Sequence, residues 1–318
     1  PGAHDAIEQR IRKGTLIFNY TGHGNEYALS HEHVIINSDI ITWTNFNMLP
    51  LFITGTCEFS HWDDYNRTSA GELVLLNPVG GSIAMFSTTR LVYSTSNFAL
   101  HKSFFDYLYQ RNSQGEYLRL GDIYRLAKNQ TGGLGDINKR NFSLLGDPAM
   151  RLAYPKNIVV TDSINGIAVN NFNDTINPLQ HIVISGHVED VNSTILNNYS
   201  GTILVTVYDK PTSLNTLAND GGAVFPFTIQ NNVLFKGKAS VNNGTFKIEF
   251  IMPKDIQYTS GFGKVSYYLN PTSGTDDGTG YYNRLLIGGE ARNINDHQGP
   301  QITLYMNDER FVNGGITN

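Results

Sequence analysis

Two short segments hold the residue types best suited to chemistry. One reads Tyr20-Thr21-Gly22-His23-Gly24-Asn25-Glu26, the other Thr54-Gly55-Thr56-Cys57-Glu58-Phe59, and Cys57 is the single cysteine of the chain. A thiolate is a strong nucleophile, and a nearby imidazolium lowers a thiol pKa well below its free value of about 8.5. In that chemistry Cys57 attacks a carbonyl carbon, while His23 accepts its proton and later protonates the leaving amine. Gly22 and Gly24 flank the histidine without side chains, so the backbone there can turn sharply and approach a substrate closely. The N–H groups of Gly24 and Cys57 are then natural donors for an oxyanion hole. By position alone a plainer reading also stands: a small buried thiol after a strand, and a histidine in a turn.

Both segments directly follow short apolar runs, which is how strands buried on both faces read. Residues 15–20 form the first run, 49–54 the second and 82–86 a third. Helical patterns alternate with them. Residues 4–13 place Ile7 and Ile11 four apart before Gly14, and residues 68–76 carry Ala70, Leu73 and Val74 before Asn77-Pro78. Residues 98–111 form an aromatic helix built on Phe104, Phe105, Leu108 and Tyr109, and residues 120–128 a further one. Strands separated by helices predict a parallel sheet with helices on its faces, and ligands in such sheets bind beyond the carboxyl ends of the strands. His23 and Cys57 both fall on that edge, on neighbouring loops if their strands are adjacent.

From about residue 156 the pattern changes to short alternating strands, at 182–187, 202–208, 233–238, 245–251, 263–268 and 281–288. Asn243-Gly244 is a two-residue hairpin signal between two of them. Such a run without a helical pattern predicts an all-β, immunoglobulin-like sandwich over residues 156–298. Residues 299–318, with a strand-like run at 301–306, read as the start of a further β domain or a tail.

Composition narrows the field. The 318 residues carry a formal net charge of −5 with only 16% charged residues, against about a quarter in ordinary globular chains. Hydrophobic residues at 40%, with 17 Tyr and 17 Phe, exclude wholesale disorder. One cysteine excludes an intramolecular disulfide framework and a cysteine-rich zinc site, and the acidic balance gives no reason to expect nucleic acid. There is no initiator Met, signal peptide or apolar run long enough to span a bilayer, so the chain reads as a processed or excised piece of something longer.

Other candidates are weaker. His31-Glu32-His33 offers metal-ligand types at a spacing that suits only a strand or a tailored loop, with a solvated loop as the plainer reading. His61, Asp63 and Asp64 line the rim of a site at Cys57 or simply form a polar loop, and Glu26 is a candidate to orient His23. Asp276-Asp277-Gly278 resembles a Ca²⁺-friendly turn, which a solvated hairpin tip also explains, so no metal or other cofactor is expected.

The runs LIFNYTGHG and LPLFITGTCEF, with His23 and Cys57 34 residues apart, resemble the His and Cys motifs of the gingipain family of cysteine peptidases. The later runs GGSIAMFSTTR and NFSLLGDPAMRL resemble the segments that end such catalytic domains. The resemblance covers most of residues 4–155. It implies a caspase-like α/β fold over residues 1–155, with the Cys57–His23 dyad and an acyl-enzyme thioester. It also implies a substrate side-chain pocket walled by the segment after the third strand, where Thr89, Arg90 and Tyr93, with Glu26, are candidates to bind substrate. Within the family the wording is similar to the PorU-type sortases of the type IX secretion system, as is DHQGPQITLYMND near residue 300. That implies an enzyme on the outer face of a bacterial outer membrane, of the kind found in Bacteroidetes. Such an enzyme removes C-terminal sorting domains from exported proteins, with other outer-membrane secretion components as partners and an amine on lipopolysaccharide as acyl acceptor. A secreted gingipain-like hydrolase and an inactive surface-binding or assembly module remain open alternatives. The family's sheet has strands upstream of the His-bearing one, whereas this chain starts one helix before it; part of the sheet and any orienting acid are therefore expected to lie outside it, leaving activity in doubt.

Overall fold

The computed structural model describes residues 2–133, 135–219, 221–272 and 276–290. The chain divides into two compact units, Pro1–Tyr154 and Pro155–Asn318.

The first unit opens with α1 (Gly2–Lys13), which stops where Gly14 enters the left-handed region at φ 87°. Strands β1 (Ile17–Thr21), β2 (Leu51–Gly55) and β3 (Ala84–Thr88) follow, with α2 (Ala70–Leu76) between the last two. Ser69 and Glu72 form a capping box that starts α2. Helices α3 (Ser94–Leu108), α4 (Leu120–Gln130) and α5 (Ile137–Asn141) then lead to β4 (Phe142–Leu145). The sheet runs β1-β2-β3-β4, parallel except for β4, which is antiparallel to β3. The expected parallel sheet is therefore a mixed one: α5 leads straight into β4 without a crossover, so the chain doubles back.

Strands β2 and β3 are buried because each serves two cores, whereas β1, at the sheet edge, is half-buried with Asn19 exposed. On one face Leu51, Ile53, Ala84 and Phe86 pack with Leu100, Phe104 and Leu108 of α3 and Ile123 and Ala127 of α4. On the other, Phe52 and Met85 pack with Ile11, Trp43, Ala70 and Val74. Adjacent strand residues point to opposite faces, so an uninterrupted apolar run is what a helix–sheet–helix sandwich demands.

In the second unit, β5 (Asn157–Ile164), β6 (His181–Glu189), β7 (Gly201–Tyr208), β8 (Val233–Asn242), β9 (Thr245–Ile251), β10 (Gly261–Pro271) and β11 (Gly278–Ile287) belong to one sheet. Its order is β11-β10-β7-β8-β9-β6-β5, with Ile167–Ala168 beyond β5. The sheet closes through a parallel pairing of β11 with β5 at Gly278↔Asn157 and Thr279↔Ile158. At its other corner the β8–β9 hairpin pairs only at Val241↔Phe246 and Asn242↔Thr245. Asn243 and Gly244 make that turn with φ 50° and 71°, both positive as a type I′ turn requires. The sequence expects a two-sheet sandwich; the hydrogen bonding instead runs around one closed, barrel-like sheet. Ile182, Ile184 and Val188 face Ile203, Val205, Val207, Val265 and Leu269 inside it. The strand expected at residues 301–306, and the whole of 299–318, lie outside the described residues.

Candidate active site

β1 and β2 are parallel neighbours with Thr21 opposite Gly55, so the segments bearing His23 and Cys57 leave the same sheet edge side by side. The pairing extends one step further, the Gly22 N–H donating to Gly55 O at 3.3 Å. Past that point the two loops abut. A Cβ on Gly24 would stand 2.5 Å from Thr56 Oγ1 and 3.0 Å from Ala28 O, closer than any side chain tolerates. The glycine is what lets the loops touch.

The His23 loop is held through its backbone. The His23 carbonyl accepts from the Tyr20 hydroxyl at 2.6 Å and from Ser30 N–H at 2.8 Å, while its side chain is exposed. Cys57 is half-buried with Sγ 3.8 Å from Val92 O. Immediately after it Glu58 adopts φ 55°, a left-handed conformation costing a non-glycine residue about 1 kcal/mol. That reversal lets Glu58 N–H reach Arg90 O (3.4 Å) and Ser60 N–H reach Thr88 O (2.9 Å), binding the Cys57 loop to the loop after β3. The N–H groups of Gly24 and Cys57 enter none of the backbone hydrogen bonds tying these loops together.

Beneath the loops lies a histidine the sequence reading does not single out. His101 of α3 is 5% exposed; Nε2 meets Asn19 Oδ1 and Thr21 Oγ1 on β1, and Nδ1 lies against Gly55 on β2. Burial pushes its pKa down to about 4, so the ring is neutral at pH 7. Among the described residues Nδ1 has no hydrogen-bond partner, and neither does Oδ1 of Asn97, one turn earlier. A helical pattern hides such a residue, because a histidine on a buried face looks the same in sequence whether it meets a sheet edge or merely fills the core.

Charged groups tie the loops together from above. Glu26 accepts hydrogen bonds from His61 Nδ1 and from Arg67 Nη1, both at 2.6 Å. Arg67 Nε also pairs with Asp64 at 2.9 Å, His61 Nε2 stands 3.6 Å from Asp63, and Asp63 receives a two-pronged Arg90 guanidinium at 2.7 and 2.6 Å. The Arg90 hydrogen bonds hold Asp63 at a pKa of about 2, outweighing its burial. Burial raises the Glu26 pKa, but the His61 and Arg67 bonds more than reverse this and hold it below the usual carboxylate value.

Residues 1–153 match the sequence model of peptidase family C25. The resemblance to gingipains is thereby borne out over residues 1–153. Dimeric latent PorU from Porphyromonas gingivalis is a structural neighbour at 29% identity and TM-score 0.46, covering 74% of this chain and 22% of that one. The complex of P. gingivalis RgpB pro- and mature domains aligns at 16% identity and TM-score 0.44 over 90% of this chain and 57% of that one. The Arg-specific cysteine proteinase gingipain R aligns at 15% and 0.42, over 90% and 56%. This chain thus spans about a fifth of the PorU chain and little more than half of the gingipain chains. No curated protein sequence matches it.

Glu26 is bonded to His61 and Arg67 rather than to His23. Thr89 Oγ1 donates to Asn141 O at 3.2 Å, and the Arg90 guanidinium is paired with Asp63. Tyr93 is 71% exposed, its backbone N–H and C=O both held by the buried Asn138 side chain at 2.9 and 2.7 Å. Asn138 and Asn141, which fix the loop after β3, carry no sequence signal beyond the helix that holds them.

His31, Glu32 and His33 are all exposed, and Glu32 is taken by the Ser30 hydroxyl at 2.5 Å. Ligand atoms of Glu26, His61 and Asp64 do come within 4.8 Å of one another, but the Arg67 guanidinium already bridges the two carboxylates. In the second unit Asp276 pairs with Lys156 at 2.9 Å and Asp277 accepts from the Tyr268 hydroxyl at 3.0 Å. Among the described residues, no helix is long and apolar enough to cross a membrane.

Proposed function

We propose that the first unit is a cysteine peptidase centre with Cys57 as nucleophile and His23 as the proton carrier. One observation carries this reading: parallel neighbouring strands deliver a histidine and the chain's single thiol onto abutting loops at the ligand-binding edge of a unit that matches a peptidase family. Cys57 transfers its proton to His23 and its sulfur bonds to the scissile carbonyl carbon. The resulting oxyanion faces the Gly24 and Cys57 N–H groups. As the C–N bond breaks, His23 protonates the departing amine and a thioester remains on Cys57. A second nucleophile then attacks the thioester and regenerates the thiol.

Water makes the enzyme a hydrolase; an amine makes it a sortase. The sequence similarity to PorU-type sortases around both motifs favours transfer. The substrates would be exported proteins bearing C-terminal sorting domains, and an amine on lipopolysaccharide the acceptor at the outer face of a bacterial outer membrane, alongside other secretion components. The β-rich unit then serves to position or support the catalytic unit. Cys57→Ala and His23→Ala in the full-length protein are expected to abolish cleavage of such a substrate. An added amine should appear in the product; free carboxylate alone would assign the protein to hydrolysis. Full cleavage by Cys57→Ala, or alkylation of Cys57 by iodoacetamide no faster than a model thiol at about pH 6, would favour a binding or assembly module instead.

A further inference from the structure

The ion pairs above the site connect loops whose backbones are joined at their base, Gly22 N–H to Gly55 O, and again where Ala70 N–H meets the Glu26 carbonyl. Glu26 lies three residues after His23, and His61 four residues after Cys57. The Glu26 side chain is only 13% exposed and that of His61 19%, so this contact is shielded from the solvent competition that weakens ordinary surface pairs. Glu26 engages the second loop three times: one carboxylate oxygen on His61, the other on Arg67, and its backbone carbonyl on Ala70 N–H at 2.7 Å. From there the contacts run on through Asp63 to Arg90, which lies two residues before Val92, the neighbour of Cys57 Sγ. A hydrolytic metal site is the competing use for Glu26, His61 and Asp64, and the Arg67 guanidinium already fills that role between the carboxylates.

We propose that Glu26 is a positioning residue for the reaction: by clasping His61 and Arg67 it fixes the His23 loop against the Cys57 loop, touching neither reacting side chain. This rests on the reading of Cys57 and His23 as the catalytic pair. The loops already meet at the glycine contact between Gly24 and Thr56, so what the clasp adds is resistance to their sliding apart. A displacement of about 1 Å between nucleophile and base lowers rate by about 10²-fold without requiring any change in substrate affinity.

The test uses the full-length protein cleaving an exported protein that bears its C-terminal sorting domain. Glu26→Ala is expected to lower kcat by about 10²-fold with KM within about threefold of native, and to slow iodoacetamide labelling of Cys57 at near-neutral pH. Glu26→Gln, whose amide can still bridge His61 and Arg67, should recover most of kcat. His61→Ala removes one of the two side-chain ties and should give an intermediate loss, which guards against Glu26→Ala failing to fold. Asp106→Ala breaks an exposed pair with Lys102 on α3 and should change nothing. The proposal is overturned if Glu26→Ala and His61→Ala both keep kcat within about twofold of native, or if their losses fall on KM. Should Cys57→Ala itself remain active, the catalytic reading fails; should it be dead while Glu26→Ala is not, only the clasp fails.

Discussion

His101 makes the stability of the first unit depend on pH between about 6.5 and 4. An unfolded histidine titrates at 6.5, and burial lowers this one to about 4. The folded state therefore excludes a proton that the unfolded state takes up between those values. Its contribution to stability is complete above about pH 6.5, is lost as pH falls toward 4, and is constant below. At 1.36 kcal/mol per pKa unit the full effect is about 3 kcal/mol, and between about pH 7.5 and pH 4.5 it is about 2.5 kcal/mol. The depressed carboxylates, Glu26 and Asp63 among them, lose their contributions largely at lower pH and do not mask it. Denaturant titration followed by tryptophan fluorescence is the direct assay, because the chain's two tryptophans, Trp43 and Trp62, both lie in the first unit and Trp43 is buried. His101→Gln removes the ionisation while keeping a donor toward Asn19. It is expected to be less stable than native at neutral pH, but to lose about 2.5 kcal/mol less on acidification. If native protein and His101→Gln lose the same stability between the two pH values, the buried neutral imidazole is not what the unit depends on.

Three further outcomes follow from the packing. Gly24→Ala places a methyl group 2.5 Å from Thr56 Oγ1 and should part the two loops, lowering kcat/KM by about 10²-fold in a cleavage assay. Phe86→Ala should cost about 3–5 kcal/mol by tryptophan-monitored denaturation, because Phe86 is fully buried and stacks on Phe104 at 4.6 Å. Tyr267→Phe deprives the buried Thr161 hydroxyl of its 2.7 Å partner and should cost about 1–2 kcal/mol, read by calorimetry since the second unit has no tryptophan.

The placing of the His23 and Cys57 segments on one sheet edge is legible in the residues because both follow strand ends. An apolar run marks a strand of the sheet whose carboxyl end opens onto the sheet edge, so the largely buried run at residues 49–54 and the half-buried edge run at residues 15–20 place Cys57 and His23 there. The Asn243-Gly244 turn was equally plain, since two successive positive φ values suit few residue pairs. The partners of Glu26 are not legible in sequence, because proximity to His23 says nothing about where a flexible carboxylate finds its cation. Its partners lie 35 and 41 residues away, across the loop contact.

Sequence by itself determined which residues are apolar on which strand face, where elements stop, and which loops bear the cysteine and the histidine. These are local properties, governed by side-chain alternation, capping and turn conformation. Tertiary structure alone decided that β1 and β2 are neighbours, that β4 runs against β3, and that the second unit's strands close into a barrel through β11 and β5. It also decided that His101 is buried neutral beneath the sheet edge and that Arg67 bridges Glu26 and Asp64. Strand partners and buried charges depend on residues distant in the chain, and their energies exist only once those residues are brought together.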